Sequence, residues 1–203
     1  AVPSGFKALC TQNVTIESST IYNAKKNFDV LTWTGNGSNG NAITGLEFQP
    51  DFIWGKCRSN GHDNQIIDSI RGTTKYLSSN RTDIATASDR ITSINNNGFT
   101  LGSDARLNEN SQTNVAWCWK AGGTAVSNTD GTITSSVSAN KEAGFSIVSY
   151  TGNEVNNATV GHGLGKSPDV VMIKDRDTNS AGNNWYVFHS ALASNQSLQK
   201  KNC

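Results

Sequence analysis

The sequence predicts an all-β protein of two tandem β-sandwich, jelly-roll-like modules related by an internal repeat, the second incomplete. Three observations carry that prediction. Phe145 to Asn153 repeats Phe28 to Asn36 at an offset of 117 positions, the composition suits short strands joined by polar turns, and the apolar residues alternate with period two.

The register of the repeat extends well beyond one strand. Upstream, Ile16, Ser18, Ser19 and Asn23 fall on Ile133, Ser135, Ser136 and Asn140. Downstream, one inserted residue brings Gly45, Pro50, Asp51, Lys56 and Arg58 onto Gly163, Pro168, Asp169, Lys174 and Arg176. The 203 residues then divide into a leading linker (1–12), a first module (13–129) and a truncated second module (130–203).

Charged residues make up only 16%, there are 19 glycines and about two dozen asparagines, and methionine occurs once. That profile is far from the Ala-, Glu-, Lys- and Leu-rich composition of helical proteins. The net charge of +1 gives no electrostatic reason to expect nucleic acid as a partner. No run approaches the roughly 20 apolar residues that insertion into a membrane as a helix requires, and Ala1 to Cys10 has no charged region followed by an apolar one. Cys10, Cys57, Cys118 and Cys203 read as free thiols, since Cys57 falls opposite Asp175 in the second copy and its position does not demand sulfur.

In chain order, Thr15 to Thr20 is a strand. Phe28 to Trp33 is another, with Phe28, Val30 and Thr32 on one face and Leu31 and Trp33 on the other. The Gly- and Asn-rich run 34–41 is a loop, because those residues accept positive φ at low cost. Short strands follow at Ile43 to Leu46 and at Asp51 to Cys57, the latter apolar enough to be buried on both faces. Gln65 to Ile70 and Lys75 to Ser78 are strands, and Arg81 to Ser88 a short helical turn. Ile91 to Ile94 and Gly98 to Gly102 flank Asn95-Asn96-Asn97 as a hairpin. Asn114 to Lys120 is a central strand with its two tryptophans on one face, and Ala121 to Asp130 is a linker.

The second module repeats the plan through Phe145 to Thr151, Val160 to Leu164, Pro168 to Lys174 and Asn184 to His189. It stops before any partner of the Asn95 hairpin or of the Trp117/Trp119 strand. The expectation is that the chain continues past Cys203 or that another chain supplies those strands, because unpaired sheet edges are costly when buried and adhesive when exposed.

No catalytic constellation is visible. His62, His162 and His189 lack metal-ligand spacing. His162 sits in the glycine-rich Gly161 to Gly165, but its repeat partner is Thr44 and no dinucleotide fingerprint surrounds it. The paired carboxylates a glycan hydrolase needs do not stand out, for Asp51 and Asp169 read as turn or capping residues at the heads of equivalent strands. No metal and no cofactor is predicted; the Asp175 to Asn184 loop is rich in oxygen ligands without an ordered calcium-loop spacing. Trp33 with Tyr150, and Trp54 with Met172, match across the repeat and read as core positions. Trp185, Tyr186 and Tyr76 lie near predicted turns and could stack on sugar faces among amide-bearing loops.

Several segments together carry a family likeness: Pro3 to Cys10, Thr34 to Ser38, Pro50 to Trp54, Gly98 to Gly102, Ala116 to Gly122, Asn128 to Gly131, Gly144 to Val148 and Thr159 to Gly165. They resemble an uncharacterised domain family common in bacteriophage virion proteins, those of marine phages especially, where it often follows a lectin-like jelly-roll domain in tail or fibre proteins. The resemblance implies a structural protein on the virion surface, assembled in the host cytoplasm. It implies no catalytic residues. The expected partners are other virion proteins, further copies of the chain (a trimer is one form) and a host cell-surface glycan. A tail-fibre or receptor-binding assembly is the first expectation, with a capsid decoration protein and a carbohydrate-binding module as alternatives and a capsule-degrading enzyme behind them.

Overall fold

The computed structural model describes residues 23–177, 184–192 and 198–199, so the strand predicted at Thr15 to Thr20, the leading linker, Cys10 and Cys203 lie outside the described residues. The described chain is all-β, with a single 3₁₀ turn at Ala24–Lys26 and one helical turn, α1 (Ala105–Asn108). Every ladder between its strands is antiparallel.

The first half forms two sheets. β1 (Phe28–Thr34), β3 (Phe52–Cys57), β4 (Gln65–Asp68), β5 (Gly72–Leu77), β6 (Thr86–Ala87) and β9 (Thr113–Trp119) make a six-stranded sheet in the order β1-β9-β3-β4-β5-β6. β2 (Asn41–Thr44), β7 (Ile91–Asn95) and β8 (Gly98–Leu101) make the second, in the order β2-β8-β7. The last strand of this half in sequence, β9, is thus held between the first, β1, and β3.

Alternation decides the faces. On β1, β9 and β3, the row Leu31, Ala116 and Gly55 and the row Asp29, Cys118 and Ile53 point to one side. That side meets Ile43, Phe99, Leu101 and Ile91 of the second sheet in one buried cluster. Leu107 of α1 completes it and is wholly buried, the turn being started by the Asp104 carboxylate, which accepts the Arg106 N–H at 2.8 Å. β3 is therefore not buried on both faces as its apolar run suggests. Ile53, Gly55 and Cys57 are buried while Phe52, Trp54 and Lys56 are only partly so.

The Asn-rich loop after β1 is tied down by a single buried amide. Asn108 donates to the carbonyls of Ser38 (2.8 Å) and Gly102 (2.7 Å), and its oxygen accepts from the Asn36 N–H (3.1 Å) and the Asn41 amide (2.9 Å). All four of its bonding positions are used, which is what a fully buried amide needs. The Asn95 hairpin forms as predicted, with Asn95 opposite Gly98.

Residues 81–88 do not make a helical turn. Arg81 is drawn to Asp83 and Asp63, Ala85 N–H donates to the Arg176 carbonyl at 2.9 Å, and Ser88 N–H to that of Thr74 at 2.9 Å, so the segment runs extended into β6. The predicted linker 121–130 contains a strand, β10 (Val126–Asn128).

The second half holds two three-stranded sheets. β10, β11 (Ser135–Asn140) and β12 (Phe145–Tyr150) form one in that order, and β13 (Val170–Ile173), β14 (Tyr186–His189) and β15 (Leu198–Gln199) the other. The strand expected at Val160 to Leu164 is instead a loop, whose one ladder contact is an isolated parallel bridge from Val160 to Ile133. Positive φ at Gly163 (73°) and Gly165 (75°) turns the chain there. Among the described residues no helix is long and apolar enough to cross a membrane.

Candidate functional site

The face of the six-stranded sheet turned away from the second sheet is built from aromatic and aliphatic rows. Ladder register places Phe28, Trp119 and Phe52 in one row, and Val30, Trp117, Trp54, Ile66 and Leu77 in the next. Phe28 and Phe52 flank Trp119 with ring centroids at 4.8 and 5.4 Å, and Trp54 meets Trp117 edge-on at 6.4 Å. These are the separations at which aromatic pairs attract.

The second half of the chain packs on this face at two points. Phe145 of β12 stacks on Trp119, at 6.0 Å and 19°, and meets Phe52 edge-on at 5.8 Å. Trp185 packs with Ile66 and Leu77, with Phe52 and Trp54 at the margin. Toward the β1 side of the sheet Val30 and Trp117 stay open, Trp117 at 36% exposure.

The three residues expected to stack on sugars are placed apart. Trp185 is only 9% exposed and its Nε1–H donates to the Ser78 carbonyl at 2.9 Å, so its ring is committed to the joint between the two halves. Tyr76 packs against the main core with the Arg90 guanidinium 3.2 Å from its ring centroid, so that face is already occupied by a cation. Buried Arg90 is held there by Gln65 and by Asp104, whose Oδ2 lies 3.4 Å from Nε. Tyr186, on β14, is 44% exposed and alone of the three offers an open ring. Of the residues read as core, Trp33 packs edge-on against Phe99 at 5.6 Å and donates Nε1–H to the Leu107 carbonyl, but Tyr150 and Met172 are exposed. Sequence reasoning paired Trp117 with Trp119 correctly, yet period two alone cannot say which face of a sheet will be left open.

A second feature is a cleft of about 580 Å³ between the β10–β11 surface and the loop carrying Gly161, His162 and Gly163. Its polar lining includes Asn128, Asp130, Lys141 and His162. Asn128 Oδ1 accepts the Asp130 N–H at 3.1 Å, and the Ser135 hydroxyl donates to the Gly161 carbonyl at 2.9 Å, fixing both walls. A Cβ at Gly161 would fall 1.7 Å from Asn128 Oδ1, so a larger residue there must displace the Asn128 side chain. His162 Nδ1 accepts the Leu164 N–H at 3.3 Å, which leaves Nε2 as the ring nitrogen free of that contact. The arrangement sets amide, carboxylate, ammonium and imidazole groups beside small apolar ones.

Elsewhere, His62 Nε2 lies 2.9 Å from Glu109 Oε2, and Asn60 donates to the same oxygen at 2.8 Å. The His62 hydrogen bond first, and then that of Asn60, holds the Glu109 carboxyl below its ordinary range. Buried Cys57 and Cys118 are both free, and burial, with Asp29 adding to it, pushes the Cys118 thiol up to about 12. Asp51 is a buried clamp. Its Oδ2 accepts the Ala121 N–H at 2.8 Å, its own N–H donates to the Trp119 carbonyl at 2.9 Å, and its carbonyl accepts the Ser69 N–H at 2.8 Å. Asp169 makes the last of these contacts with Ser190, N–H to carbonyl at 2.8 Å, and accepts the Ser190 hydroxyl at 2.7 Å. Among the described residues no group of three His, Cys, Asp or Glu side chains is placed to hold a metal ion.

Compared with known proteins, residues 23–202 match a domain of unknown function, DUF7483. No curated protein and no solved structure matches the chain.

Proposed function

This chain belongs to the DUF7483 domain family, and from that premise we propose that it is a structural protein of the bacteriophage virion exterior, within a tail-fibre or receptor-binding assembly. The likeness of Pro50 to Trp54, Ala116 to Gly122 and Thr159 to Gly165 to phage virion proteins supports the viral setting. The observation that carries the structural role is the joint: Phe145 on Trp119 and Trp185 on Ile66 and Leu77. Successive units that bury the same apolar face against the next are how a serial array gains rigidity without catalysis.

In this reading 13–129 and 130–203 are two copies of one two-sheet sandwich. Two details favour it. Val171 faces Phe188 as Ile53 faces Ile67, and Ser190 closes on Asp169 as Ser69 closes on Asp51. Partner virion proteins and further copies of the chain follow as its neighbours.

The test is to purify the phage and locate the chain. Mass spectrometry should find it in the particle and electron microscopy should put it at the tail, in a handful of copies. Hundreds of copies on the head would identify a decoration protein, and particles lacking the chain would defeat both readings.

A glycan-binding role is the second reading, favoured by the open Tyr186 ring and by the polar cleft at His162. A glycan array with Tyr186→Ala and Gly161→Val as comparison variants decides it.

A further inference from the structure

Four Asn-Gly steps occur in the sequence, at Asn36-Gly37, Asn39-Gly40, Asn60-Gly61 and Asn97-Gly98. Such a step carries latent chemistry, because the glycine nitrogen can attack the preceding carboxamide when no side chain crowds it and no other bond holds it. The fold accounts for three of the four glycines.

Gly37 and Gly40 have φ of 69° and 87°, a region that glycine enters without penalty, and their N–H groups donate to the carbonyls of Asn108 (2.7 Å) and Leu101 (2.9 Å). Gly98 opens β8 between Thr44 and Asn95, where a Cβ would fall 2.0 Å from the Ile43 carbonyl oxygen. The Asn97 carbonyl just before it accepts the N–H groups of Gly45 and Leu46, both at 3.0 Å. Each of these three steps is fastened to a neighbouring element.

Gly61 differs on every count. It is exposed in the loop between β3 and β4, its φ is not positive, and a Cβ built on it would meet nothing within 4 Å. Neither the turn nor the packing there calls for glycine. Among the described residues its N–H makes one hydrogen bond, to Oδ1 of the preceding Asn60 at 2.7 Å.

We propose that Asn60-Gly61 is a self-modifying site, at which the Gly61 nitrogen closes on Asn60 Cγ to form a cyclic imide that water opens to aspartate or isoaspartate. The Gly61 N–Cγ bond forms and the Cγ–Nδ2 bond breaks, and the Gly61 amide hydrogen leaves with the ammonia. Water then adds across one of the two imide C–N bonds. Opening on the Cγ side leaves aspartate, and opening on the main-chain carbonyl side leaves isoaspartate.

The resting loop already favours the first step. The 2.7 Å contact sets the attacking nitrogen beside the carboxamide, so little motion separates it from Cγ. Asn60 and Gly61 are both exposed, so the water of the second step has access to the ring.

The product alters what the loop holds. Asn60 Nδ2 now donates to Glu109 Oε2 at 2.8 Å, the oxygen that also lies 2.9 Å from His62 Nε2. A carboxylate at position 60 cannot donate, and it sets a like charge against Glu109. The Glu109 carboxylate is then left with His62, and isoaspartate also lengthens the main chain of the loop by a methylene.

The test is to hold the full chain in mildly alkaline buffer and to map its peptides by mass spectrometry over time, with enzymatic methylation to detect isoaspartate. The native chain should convert at Asn60 about tenfold faster than at Asn36, Asn39 or Asn97, and in denaturant the four rates should draw together. Gly61→Ala, which the open space around Gly61 accommodates, should fold normally and slow conversion at Asn60 by about tenfold. NMR of Asn60→Asp should show the Glu109 pKa above its wild-type value.

Equal rates at the four native sites overturn the proposal, as does a lead at any of the other three. So does an Asn60 lead that persists unchanged in denaturant, since the fold would then play no part. Conversion at Asn60 without isoaspartate, or at an undiminished rate in Gly61→Ala, would show direct hydrolysis in place of the imide and would overturn it as well.

Discussion

The indole of Trp119 gathers rings from both halves of the chain, with Phe145 of β12 lying over it at 6.0 Å and 19°. Phe28 and Phe52 hold its edges. The last strand of the first half in sequence therefore begins the contact with the second half.

Phe145→Ala removes that stack and the edge contact to Phe52. Because Phe145 is only half-buried, the loss should be about 1–3 kcal/mol, below the range for a fully enclosed phenylalanine. Chemical denaturation with tryptophan fluorescence should show a lower midpoint, or two transitions where the wild type has one.

Trp185→Ala should destabilise the joint by about 2–4 kcal/mol, through lost packing on Ile66 and Leu77 and an unpaired Ser78 carbonyl. Trp185→Phe keeps most of the packing and should cost about 1 kcal/mol less than that. Any glycan affinity should survive Trp185→Phe and fall with Tyr186→Ala, a contrast that glycan-array binding reads directly.

Glu109 is held ionised by His62 and Asn60. Its folded pKa is lowered, so its contribution is present above the unfolded value and is lost as pH falls through the lowered one, on the acid side of the ordinary carboxylate range. NMR titration should find the Glu109 pKa rising toward the ordinary value in His62→Ala, and rising less in Asn60→Ala, since the His62 bond is the larger cause.

Cys118 has the opposite sign. Its folded pKa is raised to about 12, so the neutral thiol's contribution is complete below the unfolded value and is lost as pH rises from there toward 12. Native protein at mildly alkaline pH should leave Cys118 unlabelled by iodoacetamide, and denaturant should expose it. Mass spectrometry of the labelled peptide reads both states, and prompt labelling of the native chain would contradict the burial.

The strands of the first half were legible because their signals are local. Alternation in Phe28 to Trp33, the Asn95 to Asn97 turn and the apolar run at Asp51 to Cys57 each predict an element the structure contains. The position of β9 between β1 and β3 was legible only in part: a central strand could be read from its composition, but its neighbours are fixed by pairing across the whole half. Residues 81–88 misled because their helical propensity is weak and is overridden by hydrogen bonds to Thr74 and Arg176. Val160 to Leu164 misled because its apolar residues alternate with glycines, and positive φ at Gly163 and at the following Gly165 turns the chain.

The candidate surface was less legible still. Trp185, Tyr186 and Tyr76 share a composition suited to sugar stacking, yet one is spent on the joint and one on Arg90. Burial of a particular aromatic depends on which sheet face meets a neighbour, and that is decided by tertiary contacts.

The place of β9 also sets an order of events during synthesis. Phe28 and Phe52 gain their shared neighbour only when Trp119 has left the ribosome, so β1 and β3 must wait apart while the whole intervening segment is made. Long-range pairing of this kind slows folding, and the hairpins β3–β4 and β7–β8, whose partners are close in sequence, have time to form first. The first half is then closed like a purse by its last strand, and a nascent chain interrupted before residue 113 would present two unfilled edges to every neighbour on the polysome.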